Sequence, residues 1–260
     1  MLTTSVIIIL REVLEISLMI SVMLVISHKR EMNLRWFMFS SLGGGIGALA
    51  YASSIRIISN SLDGIGQEVT DASIQIVTYI LTAFLVGILL NPELANKKNN
   101  RLLTLTMSAC VLSAITREGY EIVIYIGGFS SDPDTLLPVA IGSIIGTGIG
   151  MSIAAIFYYA LANLRKQRSI QVCVYVLILV AAGLLLQASL LLTQADLLPS
   201  QDAIWDTSQL VSEYSISGQM LYALVGYEAT PTPTQAGIYI GGIVFLIWVG
   251  RYEKYKHDNS

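Results

Sequence analysis

Residues 3–27 read TTSVIIILREVLEISLMISVMLVIS, an apolar run interrupted in its middle by Arg11, Glu12 and Glu15. A helix needs about 20 mainly apolar residues to cross roughly 30 Å of hydrocarbon, and this run is long enough. It lacks the basic start and the small-residue cleavage pattern of a secretory signal peptide. We therefore expect it to form a membrane-spanning helix of the mature protein.

Six further apolar blocks follow, and they decide the fold class. They cover residues 36–58, 72–91, 103–127, 136–161, 170–194 and 235–251. Of the 260 residues, 54% are hydrophobic and only 13% are charged, whereas a soluble domain carries about 25% charged residues. The sequence therefore predicts an all-α integral membrane protein with seven transmembrane helices, which form a single domain over residues 1–260.

Basic residues occur in alternate connections between the blocks. They are Lys29, Arg30, Arg35, Lys97, Lys98, Arg101, Arg165, Lys166, Arg168, Arg251, Lys254 and Lys256. Cytoplasmic loops of membrane proteins are enriched in Lys and Arg. The pattern predicts an N-terminus outside and a C-terminus inside, and opposite ends are what an odd number of spans requires.

The other three connections carry acids instead. These acids are Asp63, Glu68, Asp71, Asp132, Asp134, Asp196, Asp202, Asp206, Glu213 and Glu228. An acidic outer face would concentrate cations at the membrane surface. The basic side is explained by ordinary topology signals, which do not require these acids. Two interpretations of the acids therefore remain open: a surface that collects cations, or outer loops that are mildly acidic without a function.

The second three blocks repeat features of the first three in the same order. The matched stretches are LREVLEI (10–16) with TREGYEI (116–122), GGGIG (43–47) with GTGIG (146–150), and SIQIVTYIL (73–81) with SIQVCVYVL (169–177). Each unit has three spans, so the second unit enters the membrane upside down relative to the first. We expect two inverted repeats, residues 3–91 and 103–194, with a transport site near the midplane where they meet.

Residues outside the two repeats form an outer segment and a last helix. The outer segment covers 195–234, and its part between Ala203 and Tyr227 shows apolar residues near helical spacing. This spacing predicts an amphipathic helix at the outer interface. The last helix is expected over 235–251, after Pro231 and Pro233.

The charged residues inside the spans carry the chemistry. Arg11, Glu12 and Glu15 share one helix face, since residues three apart differ by about 60° and residues four apart are neighbours. The fourth block repeats the arrangement with Arg117, Glu118 and Glu121. A charge at mid-bilayer costs about 2.5–3.5 kcal/mol, so we expect all six residues to face the bundle interior and to converge there.

Four carboxylates against two guanidiniums leave an excess of two negative charges, which protons or a bound cation would neutralise. Carboxylate oxygens suit hard cations, whereas softer metals recruit His, Cys or Met. The histidines, His28 and His257, fall on the cytoplasmic side of the predicted topology. Fe³⁺, Mn²⁺, Ca²⁺ and protons all remain open on this reasoning.

Three alternatives to ion transport explain the charged residues less well. Simple pairing of Arg11 with Glu15, and the same pairing in the fourth block, would leave Glu12 and Glu118 without a role. An intramembrane metal-dependent enzyme would need a catalytic motif such as His-Glu-x-x-His, which the sequence lacks. A non-transporting subunit that anchors an oxidase would leave six buried charges unexplained.

The two Arg-Glu-x-x-Glu motifs resemble the signature of the high-affinity iron permease family, the oxidase-dependent iron transporters of fungi and their bacterial relatives. The resemblance extends to the seven-span layout, to WDTS at 205–208, and to the stretch from Gly218 to Tyr227. It implies an iron uptake permease, not an enzyme, in the plasma membrane or, in a bacterium, the cell inner membrane. Iron, ferric as in the fungal systems, is then the transported substrate and not a cofactor.

The resemblance also implies site residues and partners. The implied metal ligands are Glu12, Glu15, Glu118 and Glu121, supported by Arg11 and Arg117. The family is similar around Glu68, which with Asp71 makes a carboxylate pair expected at the outer mouth. The alternative role for this pair is structural, because negative charge is favoured at the N-terminus of a helix. Expected partners are membrane lipid and an extracytoplasmic ferroxidase or iron-delivery protein, with no nucleic acid. A proton- or divalent-cation-coupled transporter for Mn²⁺ or Ca²⁺, of the same architecture, is the alternative function.

Overall fold

The computed structural model describes residues 1–91 and 101–258, and from residue 252 onward it describes the backbone alone. Lys97 and Lys98, which contribute to the predicted topology, lie outside the described residues. The described part is all-helical, as predicted, with one 3₁₀ turn at Leu62–Gly64 and no strand. Its α-helices are α1 (Leu2–Lys29), α2 (Arg35–Ser59), α3 (Gly66–Leu90), α4 (Arg101–Gly128), α5 (Pro133–Ala162), α6 (Lys166–Gln194), α7 (Ile216–Val225) and α8 (Pro233–Asp258).

Each predicted apolar block coincides with one long helix. The shortest of these helices have 25 residues, which at 1.5 Å per residue is about 37 Å, enough to cross a bilayer. Among residues 1–91 and 101–258, four helices are both long and apolar enough to span a membrane by length and composition: α3, α5, α6 and the part of α8 that ends at Arg251. The charged triads at 11–15 and 117–121 make α1 and α4 more polar.

Three helix pairs dominate the packing: α1 with α5, α2 with α4, and α3 with α6. Glycines permit the close approach in the first two pairs. A Cβ atom added to Gly146 of α5 would lie 2.7 Å from the carbonyl oxygen of Val6, and one added to Gly44 of α2 would lie 2.7 Å from Cβ of Ile115. The motif helices α1 and α4 are therefore each held against a glycine-lined surface.

Two hydrogen bonds identify the opposite ends of the bundle. At one end Lys29 Nζ donates to the carbonyl oxygen of Leu164 at 2.8 Å. At the other end the hydroxyls of Ser5 and Tyr125 are 2.8 Å apart. We call the first end, where the basic connections 30–34 and 163–165 lie, the basic end, and the second the acidic end.

The hydrophobic core fills the half of the bundle nearer the basic end. It is built on Met23 and Ile26 of α1, Leu85 of α3, Met107 of α4 and Leu177 of α6, each 0% exposed. The charged motifs lie beyond this core on the acidic side. A continuous apolar layer therefore separates them from the basic end.

The outer segment departs from its predicted structure. The amphipathic helix expected between Ala203 and Tyr227 is helical only over α7, and residues 203–215 form turns and irregular backbone. Asp206 explains part of the difference, because its carboxylate accepts hydrogen bonds from the backbone N–H (2.9 Å) and hydroxyl (2.6 Å) of Ser208. Such local bonds compete with helix formation. The helix starts only at Ile216, after its N-cap Ser215, whose hydroxyl accepts a hydrogen bond from the backbone N–H of Gly218 at 3.0 Å.

Candidate ion-binding site

The two charged triads lie side by side in the bundle interior. Glu12 of α1 is 5% exposed, and Arg117 and Glu118 of α4 are 6% and 3% exposed. The side chains of Arg11 and Glu121 are more open, at 37% and 30%. These last two side chains are therefore only partly enclosed by the bundle.

Three carboxylates converge in this region, and we call Glu12, Glu118 and Glu121 the three-carboxylate group. One oxygen from each lies within 4.8 Å of the others, so a single ion could contact all three. The oxygen Oε2 of Glu12 is buried without a hydrogen-bond partner. A buried carboxylate without donors is costly unless a proton or cation compensates it.

Glu15, the fourth predicted ligand, has a different environment. Its Oε1 is 3.3 Å from Nε of Arg11, and its Oε2 accepts a hydrogen bond from Gln187 Nε2 at 2.9 Å. Gln187 is itself held by Gln75, which donates to its Oε1 at 2.6 Å. Glu15 thus links α1 to α6 and α3, and its oxygens are occupied by protein donors.

Arg117 connects the two motifs electrostatically. Its Nη1 is 2.6 Å from Glu118 and its Nη2 is 2.8 Å from Glu121. It also lies 3.7 Å from Glu15 of the other motif helix. The pairing of arginines with glutamates four residues later does occur in both helices. Arg117 extends it to Glu118 and across to Glu15 of α1, so ion pairs join five of the six charged residues into one network, and Glu12 stays outside it.

The predicted delivery residues Glu68 and Asp71 do not belong to this group. Asp71 is 2% exposed, so it is not at an open mouth. The hydroxyl of Tyr51 donates to one of its oxygens at 2.6 Å, and the hydroxyl of Tyr120 donates to the other. Glu68 is half-buried, and its Oε2 has no hydrogen-bond partner.

Two cavities adjoin the site, and Tyr222 of α7 lines both. The buried one has a volume of about 20 Å³ and contacts Glu15, Arg117 and Glu118, which is room for one water-sized occupant. The outer cavity, of about 300 Å³, is lined by Arg11, Arg117, Glu213, Gln219, Tyr222 and Glu228, among others. In it, burial and the neighbouring Glu213 raise the pKa of Glu228 to about 7.

Sequence reasoning did not find Gln75, Gln187 or Tyr222 as site residues. A signal existed for the two glutamines, since uncharged polar side chains in the middle of apolar spans need partners. Tyr222 had no such physical signal, and only its place in the stretch from Gly218 to Tyr227, which carries the family resemblance, pointed to it.

The helical bundle with apolar spans and buried carboxylates indicates a multi-pass membrane protein with a candidate ion-binding site. The model of the Iron permease FTR1 family matches residues 2–250, and the chain belongs to this family. The resemblance read from the two motifs is thereby confirmed. Members of this family are permeases and not enzymes, and membership indicates iron as the transported substrate. Searches among curated proteins and among solved structures found no match.

Proposed function

We propose that this protein carries ferric iron inward across the plasma membrane, or the inner membrane of a bacterial cell, through the three-carboxylate group. The observation that carries the proposal is the convergence of one oxygen each from Glu12, Glu118 and Glu121 within 4.8 Å. These ligands come from two helices that carry the same motif. Carboxylate oxygens are the ligands that a hard trivalent cation prefers.

Arg117 acts as the counter-ion of the site when no iron is bound. It pairs with Glu118 and Glu121, two of the three proposed ligands. Iron that enters the group competes with the guanidinium for these oxygens. The energy of the displaced ion pairs limits how tightly iron is held, and a transported ion must be released again.

Glu15 has a supporting role in this proposal. Its oxygens already bind Arg11 and Gln187, so it holds the site together before iron arrives. It becomes the fourth ligand only when iron draws it away from these donors. Its neutralisation should therefore affect transport less than neutralisation of Glu12, whose Oε2 has no protein partner.

We further propose seven spans, an outer N-terminus and two inverted repeats. The packing supports the repeat, because exchanging α1, α2 and α3 for α4, α5 and α6 turns the α1–α5 contact into the α4–α2 contact and maps α3–α6 onto itself. The basic end, marked by Lys29, is the cytoplasmic end in this topology. The outer cavity then opens on the side from which iron arrives.

Inward release requires a rearrangement. The apolar core around Met23, Leu85 and Leu177 closes the path from the three-carboxylate group to the basic end. Rocking of one repeat against the other would open this path, as in other transporters built from inverted repeats. Inward movement of positive charge is favoured by the membrane potential, at about 2.3 kcal/mol per charge per 100 mV.

The same oxygen ligands would also accept Mn²⁺ or Ca²⁺, so uptake measurements must compare these ions.

An extracytoplasmic ferroxidase or iron-delivery protein is the proposed partner, and the exposed turns at 203–215 are the surface available to it. Such a partner would present ferric iron directly to the outer cavity. This limits the hydrolysis of free ferric ion in water.

Radioactive iron uptake by the full-length protein in vesicles tests the function. Glu12→Gln and Glu118→Gln remove one ligand charge each with little change of shape, and we expect both to abolish uptake. Glu15→Gln should retain part of it. Asp202→Asn, at an exposed outer acid, is the matched control and should transport normally. Wild-type uptake by the Glu12 and Glu118 variants, or faster uptake of Mn²⁺ or Ca²⁺ than of iron, would overturn the proposal.

A further inference from the structure

The outer cavity holds two carboxylates that the buried site does not use. Glu213 and Glu228 both line it, and their carboxyl groups lie within hydrogen-bonding distance of each other. In the described part of the chain neither acid forms an ion pair, whereas Arg11 and Arg117, which line the same cavity, are both paired with glutamates. The two acids therefore bring negative charge to the cavity that no ion pair compensates, and at neutral pH they share a proton part of the time, because the pKa of Glu228 is about 7.

Gln219 provides an independent indication of a ligand. The residue lines the cavity and is only 7% exposed, yet its side-chain oxygen Oε1 has no hydrogen-bond partner. The amide orientation is fixed, because Nε2 donates to the backbone carbonyl of Glu213 and a flipped amide would place two acceptors against each other. An unsatisfied buried acceptor is destabilising, and a bound cation would remove this cost.

We propose that Glu213, Glu228 and Oε1 of Gln219 form a second binding site for a hard cation, at which iron waits before it reaches the three-carboxylate group. This inference rests on the proposed function. The three oxygens are of the types that hard cations take as ligands, carboxylates and an amide carbonyl. The backbone N–H of Ala229 donates to Glu213 at 2.6 Å and holds that carboxylate in place.

The charge of the second site suits a waiting position. Iron displaces the proton that Glu228 holds part of the time at neutral pH. The two carboxylates then compensate two of the three charges of Fe³⁺, so the ion is attracted without being neutralised. The three-carboxylate group offers one more negative charge and is more deeply buried. Tyr222 lies between the two sites and contacts both cavities. Iron would therefore bind first in the outer cavity and pass Tyr222 afterwards.

Terbium luminescence on the purified full-length protein tests this site directly. Tb³⁺ is a hard trivalent ion that prefers oxygen ligands, and tyrosines such as Tyr214 and Tyr222 in the cavity wall sensitise its emission. In a Glu12→Gln/Glu118→Gln background, we expect one sensitised Tb³⁺ site to remain. Adding Glu213→Gln or Glu228→Gln should weaken its binding at least tenfold, while Asp202→Asn should leave it unchanged.

A variant with increased affinity distinguishes loss of the site from misfolding, because a misfolded protein would not bind Tb³⁺ more tightly. Gln219→Glu adds a third carboxylate to the site, and we expect it to bind Tb³⁺ more tightly than the parent does. Unchanged Tb³⁺ binding in the Glu213, Glu228 and Gln219 variants would overturn the second site. The proposed function fails separately, if Glu12→Gln and Glu118→Gln transport iron normally, because the terbium titration does not depend on transport.

Discussion

Tyr222 lies over Arg11. The guanidinium carbon of Arg11 is 4.3 Å from the centroid of the Tyr222 ring, and Nη2 of Arg11 donates to the Tyr222 hydroxyl at 2.8 Å. The same arginine pairs with Glu15. The short helix α7 is thus fixed to the first motif by a cation–π contact and a hydrogen bond, and its tyrosine forms part of the wall between the buried and outer cavities.

Removal of this wall should open the buried cavity to the acidic side. We expect Tyr222→Ala to increase the rate at which a small thiol reagent modifies Thr78→Cys, a position in the lining of the buried cavity. Tyr222→Phe keeps the ring and its cation–π attraction, worth about 0.5–2 kcal/mol, and should change the rate little. Both native cysteines, Cys110 and Cys173, are replaced by Ala in this experiment. Equal rates for the Ala and Phe variants would show that Tyr222 does not form a barrier.

The sequence could place the charged motifs but not the parts that hold them. The interior position of Glu12 and Glu118 follows from the cost of a charge in lipid, which depends on the span alone. The contact of Tyr222 with Arg11 depends on long-range packing: α7 ends at Gly226, which has φ 65° and packs against Gly183 of α6. No local pattern encodes that approach.

The difference between local sequence pattern and long-range packing also explains why the outer segment was predicted incorrectly. The apolar spacing between 203 and 227 is compatible with a helix, but Leu210 and Tyr214 are 84% and 80% exposed and pack little against the rest of the described chain. Instead, Ile204 N–H donates to the carbonyl of Pro231 and Thr207 N–H to that of Ala229, both at 2.9 Å. These bonds tie the start of the segment to its end, and sequence periodicity does not register them.

We expect Glu68 to act in transport and Asp71 to stabilise the fold. Asp71→Asn provides only one acceptor oxygen for two tyrosine hydroxyls, and an unsatisfied buried group costs about 1–3 kcal/mol. We expect it to lower the thermal unfolding midpoint in detergent. Glu68→Gln leaves stability unchanged but raises the KM for iron uptake, because its carboxylate has an oxygen without a protein partner.

Asp63→Asn is the control for this pair. Asp63 is an exposed acid on the same connection, with a φ of 60° that Asn also tolerates. It should change neither stability nor uptake. If Glu68→Gln transports iron with the wild-type KM, the delivery role of Glu68 is wrong, and its charge serves only the start of α3.

The glycines of α5 provide a matched pair for the packing of the motif helices. Gly146→Ala places a methyl group 2.7 Å from the carbonyl oxygen of Val6, whereas a methyl group at Gly148 meets nothing within 4 Å. Overpacking costs about 1–3 kcal/mol. We expect Gly146→Ala to lower the unfolding midpoint and iron uptake, and Gly148→Ala to change neither. The pair Gly44→Ala and Gly45→Ala should behave in the same way on α2, because Gly45 also faces open space. Equal stability within each pair would contradict the close helix contacts.

The direction of transport depends on which end of the bundle faces the cytoplasm. Single cysteines at Asp202 and Lys166, introduced after Cys110 and Cys173 are changed to Ala, report on the acidic and basic ends, since both positions are exposed. We expect a membrane-impermeant maleimide to label Asp202→Cys on intact cells, and Lys166→Cys only after permeabilisation. The cysteine-free protein controls for background labelling. The opposite pattern would place the outer cavity in the cytoplasm, where an entry site for imported iron has no use, and would exclude uptake by the route proposed.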